Sequence, residues 1–301
     1  MNRKITASLA CLGTYSIFGF SFLFSKTALE LASPFTLLAY RFWAAFITMN
    51  IIMLITKKKI NLKGKPVGKL LLLGTVQPVI YYTCEAYGIE KTSSSFSGII
   101  LGLIPVIGLV LGRIFLKEKS SVFHIVCALL SIIGVALTTV GGEIKFSALG
   151  TVLLMAAAVS SALYTVISRD ISDKFSPFER TYIMFALGCV FFTAVALIQN
   201  SHDLSVLIAP VHSGSFIISV LYLAVISSVC AFLLLNYAVN YISVASVSIF
   251  SNFCTVISVL AGIFIMHDSF SPIQIIGIII IIISVFGVSV PDKPRQKYDE
   301  F

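Results

Sequence analysis

Two ionisable side chains lie inside long apolar runs of the sequence rather than at the ends of those runs. Arg41 stands six residues into the run 35–56, and Glu85 stands four residues before the end of the run 69–89. At a helical rise of about 1.5 Å per residue, they lie roughly 9 Å and roughly 6 Å from their span ends. Because charges at such a depth in a membrane are costly, both residues are functional candidates.

The chemistry available to Arg41 and Glu85 has three interpretations. Both residues are expected toward the same membrane face at similar depth, so an ion pair between them is geometrically feasible. Such a pair can receive the carboxylate and ammonium groups of a zwitterion. Alternatively, Glu85 can carry a coupling proton, since desolvation favours the neutral form of a carboxyl group. In the third interpretation the pair only holds two helices together.

Hydroxyl and amide side chains occur near this level of the apolar runs. A tyrosine offers an apolar body and a polar tip, which suits a small-molecule pocket, although tyrosines also form interfacial belts. The asparagines either line a cavity or bond neighbouring helices, and we favour the cavity for both of them. The candidate substrate-binding or coupling residues are therefore Arg41, Glu85, Tyr81, Tyr82, Asn236, Tyr237 and Asn252.

The composition indicates what must position these residues. Of the 301 residues, 58% are hydrophobic and 11% are charged, whereas soluble domains carry about 25% charged residues. The chain is therefore predicted to be an all-α integral membrane protein. The net charge of +8 does not indicate nucleic acid binding, because the basic residues cluster at the ends of apolar runs. Basic residues at those places set membrane orientation.

Ten apolar runs are long enough to cross a bilayer, which takes about 20 residues of helix. The side that bears loop 57–69 holds 17 of the 21 Lys and Arg residues, and the opposite side holds three. This bias predicts a multi-pass protein of the plasma membrane with both termini in the cytoplasm. The predicted spans are 6–25, 35–56, 69–89, 95–116, 122–141, 148–168, 178–198, 215–237, 243–266 and 272–290.

The sequence repeats itself at an offset of 150 positions. The turn that carries Glu118 lies over the turn that carries Asp268, and the segment 86–93 lies over 236–243 without a gap. Each half has five predicted spans, and an odd number inverts the second half relative to the first. Inverted repeats are typical of secondary transporters, whose substrate site lies between the repeats. We therefore predict a first repeat at 1–141 and a second repeat at 142–301, which ends in a short cytoplasmic tail.

Several short motifs resemble the EamA module of the drug/metabolite transporter superfamily, whose ten-helix members carry two modules. The motifs are Gly19–Lys26, Ser33-Pro34 followed by Arg41, Pro105 in the fourth span, Phe115–Glu118, and the copy of the last at Ile265–Asp268. The resemblance implies an exporter or permease of small metabolites, often amino acids, that works without ATP. Two positions depart from the repeat, since Thr255 stands in place of a proline and Met184 in place of an arginine.

Glu118 and Asp268 are interpreted as turn stabilisers, with Pro105 as a third structural residue. An acidic residue before a helix can accept the free N–H groups at its positive N-terminus. On this interpretation Glu118 serves the span that follows it, and a gating contact is the alternative.

The sequence lacks the residue patterns of an enzyme. The segment 64–69 does not have the spacing of a phosphate-binding loop, and the four histidines have no metal-ligand spacing. We therefore expect no enzyme activity, no catalytic residues, no metal and no cofactor. The expected partners are a small-molecule substrate, membrane lipid and, as an open alternative, a proton.

The predicted function is ATP-independent export of small metabolites such as amino acids by alternating access. One alternative is a permease for another cargo, namely a nucleotide sugar, a cationic drug or a lipid-linked sugar. A second alternative is a membrane scaffold or sensor that transports nothing, although the chain lacks the soluble domain that a sensor usually needs.

Overall fold

The computed structural model describes residues 3–92, 94–118, 120–140, 147–266 and 271–289. The described residues form helices and turns, and no strand occurs among them. The α-helices are α1 Arg3–Leu29, α2 Pro34–Thr56, α3 Val67–Gly74, α4 Tyr81–Lys91, α5 Ser94–Leu101, α6 Ile104–Leu116, α7 Val122–Thr138, α8 Ala148–Asp170, α9 Pro177–Gln199, α10 Ser205–Ile208, α11 Gly214–Leu221, α12 Ala231–Ala238, α13 Val244–Ser251, α14 Phe253–Met266 and α15 Pro272–Ser289.

Six helical stretches of the described chain are long and apolar enough to cross a membrane. Three shorter apolar helices, Val122–Thr138, Val244–Ser258 and Pro272–Gly287, fall on further predicted spans. The predicted span 69–89 falls on α3, α4 and the segment between them. The all-helical membrane fold is thus confirmed, while the number of ten spans stays a prediction. The six long stretches are Arg3–Leu29, Pro34–Thr56, Phe96–Leu116, Ala148–Asp170, Pro177–Gln199 and Gly214–Ala238.

Two of the helical stretches are irregular at matching places, the first at a kink that contains a non-helical residue and the second in a continuous π-helical segment. Thr75–Ile80 lies between α3 and α4, and Tyr222–Cys230 lies between α11 and α12. The first segment contains Pro78, which cannot donate a backbone hydrogen bond, and Gln77 in an extended conformation. We call Thr75–Ile80 the first break and Tyr222–Cys230 the second break. Their positions in the sequence differ by about the offset of the repeat. Such breaks are tolerated at membrane depth where protein or a cavity surrounds them.

The repeated Ser-Pro-Phe motif begins a helix in each half. The Ser33 hydroxyl accepts a hydrogen bond from the Thr36 amide at the start of α2, with Pro34 at the first helical position. At the start of α9, Ser176 and Glu179 form a reciprocal capping box that follows the same pattern. The motif therefore positions α2, which carries Arg41, and its counterpart α9 by the same local chemistry.

Helix packing in one half of the protein has a counterpart in the other half. Helix α1 packs against α12 and α14, while its counterpart α8 packs against α4 and α6. Two pairs join equivalent helices directly, namely α2 with α9 and α7 with α15, and α6 of the fourth predicted span packs against α13 of the ninth. This arrangement is the one that two repeats related by a two-fold axis produce, and it brings α2 and α9 together at the centre.

Aromatic rings fill the centre of this arrangement. Phe42 of α2 and Phe185 of α9 stack edge-on with ring centroids 5.8 Å apart. Phe42 contacts Tyr82 at 5.8 Å, and Phe185 contacts the equivalent residue Phe232 at 5.9 Å. The two halves therefore meet at an apolar aromatic core, and the candidate polar residues must be described relative to that core.

Candidate functional site

Arg41 is buried in α2 and is held by the second break. Its Nε donates to Ser228 Oγ at 2.9 Å, and its Nη2 donates to Ser227 Oγ at 3.2 Å. The guanidinium carbon also lies 5.2 Å from the centroid of the Tyr82 ring, within the range of a cation–π interaction. Arg41 thus joins one repeat to the broken helix of the other, and 6% of its surface remains accessible.

Glu85 lies in α4, one turn after Tyr81, and accepts a hydrogen bond of 2.6 Å from the Tyr81 hydroxyl. Glu85 is half-buried, and so are Tyr81 and Tyr82. The rings of the two tyrosines pack edge-on with centroids 5.1 Å apart.

The direct ion pair considered for Arg41 and Glu85 is not formed in this structure. Among the described residues, no carboxylate oxygen lies within 4.0 Å of the Arg41 guanidinium. The two serines hold the cation and Tyr81 holds the anion, although the charges still interact at longer range. Arg41 Nη1 has no hydrogen-bond partner among the described residues. The site therefore presents a cation beside Tyr82 and a carboxylate held by the neighbouring Tyr81, each oriented by its own partners.

Asn236 does not line a cavity as predicted. It is completely buried in α12, where its Oδ1 accepts from Ser168 Oγ at 2.6 Å and its Nδ2 donates to Thr181 Oγ1 at 3.0 Å. Asn236 therefore bonds neighbouring helices, which was the other interpretation of a polar residue in a span. The Tyr237 ring packs against Tyr241 with centroids 5.0 Å apart, and Tyr237 is not among the residues that hold Arg41.

Asn252 is likewise a contact between helices rather than a cavity residue. It is 4% exposed, and its Nδ2 donates to Ser131 Oγ at 3.0 Å and to the carbonyl oxygen of Gly102 at 3.4 Å. Gly102 and Asn252 are equivalent in the repeat, and each stands where a span changes from one helix to the next. Asn252 therefore connects the junction of α5 and α6 to the junction of α13 and α14.

The helices on the two sides of these junctions pack differently. On the predicted cytoplasmic side, α6 lies against α13 so closely that a Cβ atom on Gly108 would come within 2.7 Å of Ser248 Cβ. On the other side, the described residues of α5 and α14 are not a packed pair. The fourth and ninth predicted spans are thus joined at one end and separate at the other.

Arg180 is a buried charge near the start of the seventh predicted span, and it is not among the predicted site residues. Its side chain is fully buried at the start of α9, where it donates to the carbonyl oxygens of Ser168 and Asn236 and to the side chain of Asn240. These carbonyls lie in the last turns of α8 and α12, where backbone acceptors are otherwise free. Arg180 therefore joins two helix C-termini, and it lies one helical turn before Met184, the counterpart of Arg41.

Glu118 caps a different helix from the one predicted. Ser121 caps α7, the helix that follows the turn, whereas Glu118 Oε2 accepts from the Val244 amide at the start of α13 at 2.9 Å. Glu118 Oε1 also lies 3.7 Å from Arg169 Nε. Burial raises the pKa of the Glu118 carboxyl above its ordinary value, against the opposing effects of the Val244 amide and Arg169. The turn is thus linked to the other repeat, as in the gating alternative.

Pro105 and Asp268 are the other two residues for which a structural role was predicted. Pro105 is buried in the first turn of α6, directly after the junction at Gly102, where a proline is tolerated because the first amides of a helix lack partners. Asp268 lies outside the described residues, so its predicted role stays a prediction. Within the described chain, no group of three or more His, Cys, Asp or Glu residues could hold a metal ion.

A membrane-embedded bundle with broken helices around separately held charges has the architecture of a transport protein, and comparison with known sequences agrees. The model of the EamA-like transporter family matches residues 5–140 and 148–290. The chain belongs to the EamA-like transporter family, and it is therefore a membrane transporter and not an enzyme.

Similar proteins include two from Bacillus subtilis (strain 168). The uncharacterized transporter YcxC is 31% identical over 301 residues, which cover 98% of this chain and 96% of YcxC. The uncharacterized transporter YetK is 25% identical over 305 residues, which cover 99% of this chain and 91% of YetK. A crystal structure with 17% sequence identity superposes with a TM-score of 0.80 over 94% of this chain and 98% of the other, which shows the fold alone.

Proposed function

We propose that the protein exports a small metabolite that carries both a carboxylate and an ammonium group, such as an amino acid, by alternating access. The observation that carries this proposal is that Arg41 and Glu85 form no ion pair and are held by different partners, two serines and Tyr82 for Arg41 and Tyr81 for Glu85. Arg41 retains donors for a carboxylate, and Glu85 retains acceptor capacity for an ammonium group. Oppositely charged groups at such a site would orient a zwitterion and leave its side chain against the tyrosine rings.

Alternating access is supported by the unequal packing of the fourth and ninth spans. Helices α6 and α13 close the predicted cytoplasmic end, where the Glu118 contact with Val244 adds a polar link. The pair α5 and α14 occupies equivalent positions at the other end, where the described residues of the two helices do not form a packed pair. If the repeats exchange conformations, α5 and α14 would pack together while α6 and α13 separate, with Asn252 and Gly102 at the pivot.

Proton coupling is a second element of the proposal, and Glu85 would carry the proton. The Tyr81 hydroxyl bonded to Glu85 supplies a partner for the charged form, and entry of a substrate would alter that balance. We also propose that the protein resides in the plasma membrane with both termini cytoplasmic, in accord with the lysine distribution. Single cysteines at Asn61 and Ser201 test this topology, and only the one at Ser201 should be labelled from outside intact cells.

A counterflow screen in proteoliposomes tests the function. The purified protein is supplied with amino acids, organic cations and nucleotide sugars in separate reactions, and exchange of the first group is expected. Exchange confined to organic cations or nucleotide sugars would replace the proposed cargo. No exchange of any of the three by a folded preparation would contradict the proposed cargo and place the substrate in another chemical class.

Engineered cross-links test alternating access. A Cβ atom at Gly112 would lie 3.3 Å from Val244 Cβ, close to the separation of about 3.5–4.5 Å in disulfides. Gly112→Cys with Val244→Cys should therefore oxidise readily and stop exchange until reductant is added. The pair Gly98→Cys with Ser258→Cys, at the other end, should cross-link only while substrate is being exchanged. Full exchange by the oxidised Gly112–Val244 pair would exclude this gate.

A further inference from the structure

The loop between α2 and α3 is ordered against the protein and unusually basic. Residues 57–66, which we call the lysine loop, include five lysines in ten positions. Ile60 and Leu62 pack against the hydrophobic core, and the Asn61 amide donates to Glu179 Oε1 at 3.1 Å. The backbone of the lysine loop is thus held in place by contacts with the protein, and its lysine side chains extend from that backbone.

The five lysines divide into two groups by what they contact. Lys58 lies 5.2 Å from the centroid of the Phe178 ring, and Lys65 forms an ion pair of 2.8 Å with Glu179. The remaining three are exposed, and their side chains have no hydrogen bond or ion pair with the described residues. These three free cations are Lys57, Lys59 and Lys63.

The free cations adjoin the membrane-facing end of α2. Leu54 and Ile55 are 75% and 76% exposed in the last turn of that helix. Helix α2 ends at Thr56, and the next residue, Lys57, adopts a left-handed conformation with φ of 54°. Exposed apolar residues followed within two positions by cations mark the boundary between hydrocarbon and headgroups.

We propose that Lys57, Lys59 and Lys63 form a binding surface for the headgroup phosphates of anionic phospholipids. A membrane lipid fits better than a free anion, because Leu54 and Ile55 would contact its acyl chains while the ammonium groups contact its phosphate. Each lysine near an anionic membrane surface strengthens binding about fivefold. The equivalent connection in the second half, residues 200–213, contains no lysine or arginine. The surface is therefore confined to one leaflet, the cytoplasmic one in the predicted topology.

Lipid bound at this surface would also act on α9. Glu179 accepts from the Asn61 amide, pairs with Lys65 and completes the capping box with Ser176. The lysine loop and the start of α9 are thus joined through one carboxylate. Neutralisation of the free lysines by phosphate would lower their mutual repulsion and stabilise this corner of the protein.

Native mass spectrometry of the full chain in detergent tests the proposal with phosphatidylglycerol and phosphatidylcholine as probes. The wild-type protein should bind phosphatidylglycerol more tightly. The variant Lys57→Gln/Lys59→Gln/Lys63→Gln should lose at least tenfold of that affinity and keep its affinity for phosphatidylcholine. A matched control, Lys26→Gln/Lys91→Gln/Lys174→Gln, removes the same charge elsewhere and should bind like the wild type.

Several results would overturn the lipid surface. They are an equal loss in the control variant, no preference of the wild type for phosphatidylglycerol, and displacement of the lipid by millimolar inorganic phosphate. The last result would identify a soluble phosphate as the ligand. If the triple variant fails to fold, the single changes Lys57→Gln and Lys63→Gln test the proposal instead. Each should weaken phosphatidylglycerol binding about fivefold.

Discussion

The two broken helices occupy equivalent places in the repeats but carry different chemistry. In the second break, Ser227 and Ser228 face Arg41 and hold its guanidinium. In the first break, Gln77 and Pro78 stand at the matching positions, and the helix opposite them carries Met184. Gln77 Oε1 is buried there without a hydrogen-bond partner among the described residues. The two breaks therefore lie at equivalent places in the fold, but of the two only the second holds a charged side chain, that of Arg41.

The arginines of the two halves sharpen this comparison, because Arg41 donates to side chains, whereas Arg180 donates to two backbone carbonyls at helix ends as well as to side chains. Arg180→Met would leave the carbonyls of Ser168 and Asn236 buried without donors. We expect the free energy of unfolding to fall by about 3 kcal/mol or more. Arg41→Met should cost much less stability, because serine hydroxyls can bond carbonyls of their own helix. Unfolding in detergent compares the two, and equal losses would contradict the division of roles.

Removal of the serines tests whether the second break orients the charge. Ser227→Ala with Ser228→Ala should raise the KM for transport about tenfold, because the Arg41 guanidinium would lose two of its directional contacts. Ser284→Ala provides a matched control, since Ser284 is buried but bonds only the Ile280 carbonyl of its own helix. An unchanged KM in the double variant would show that Tyr82 alone suffices to orient Arg41.

The first break should tolerate the loss of its polar group. Gln77→Met retains a similar shape and removes the unpartnered carbonyl, so the free energy of unfolding should rise by about 1 kcal/mol. Transport should persist, because no substrate contact is assigned to Gln77. A lower melting temperature or a loss of exchange would indicate that Gln77 has a functional partner and that the breaks are more alike than proposed.

Sequence reasoning worked for some of these residues and failed for others for physical reasons. Charges deep within a span, such as Arg41 and Glu85, stand out because hydrocarbon penalises them. Arg180 was missed because it lies only two residues into the run 178–198, where basic residues usually reach the lipid interface. Asn236 was wrongly assigned to a cavity, since polarity on a helix does not tell whether a neighbouring helix or water supplies the partner.

The breaks were only partly visible in the sequence. Pro78 marks the first, because a proline interrupts the hydrogen bonds of a helix. The second contains neither proline nor glycine, and only its equivalence to the first could have indicated it. The hydrogen-bond partner of Glu118 could not be predicted from the nearby sequence either, because the helix that Glu118 caps begins 126 residues away at Val244. Contacts between the repeats depend on packing, which short motifs do not encode.

The central claim is that Arg41 and Glu85 recognise the substrate instead of only joining helices. The double variant Arg41→Met/Glu85→Leu tests it most directly, because Met184 and Leu235 already occupy the equivalent positions of the second repeat. Stability and proteoliposome exchange are measured on the same preparation. We predict a protein that folds and inserts normally but exchanges no substrate. A stable double variant with full exchange would contradict the recognition role and leave the two charges as structural contacts.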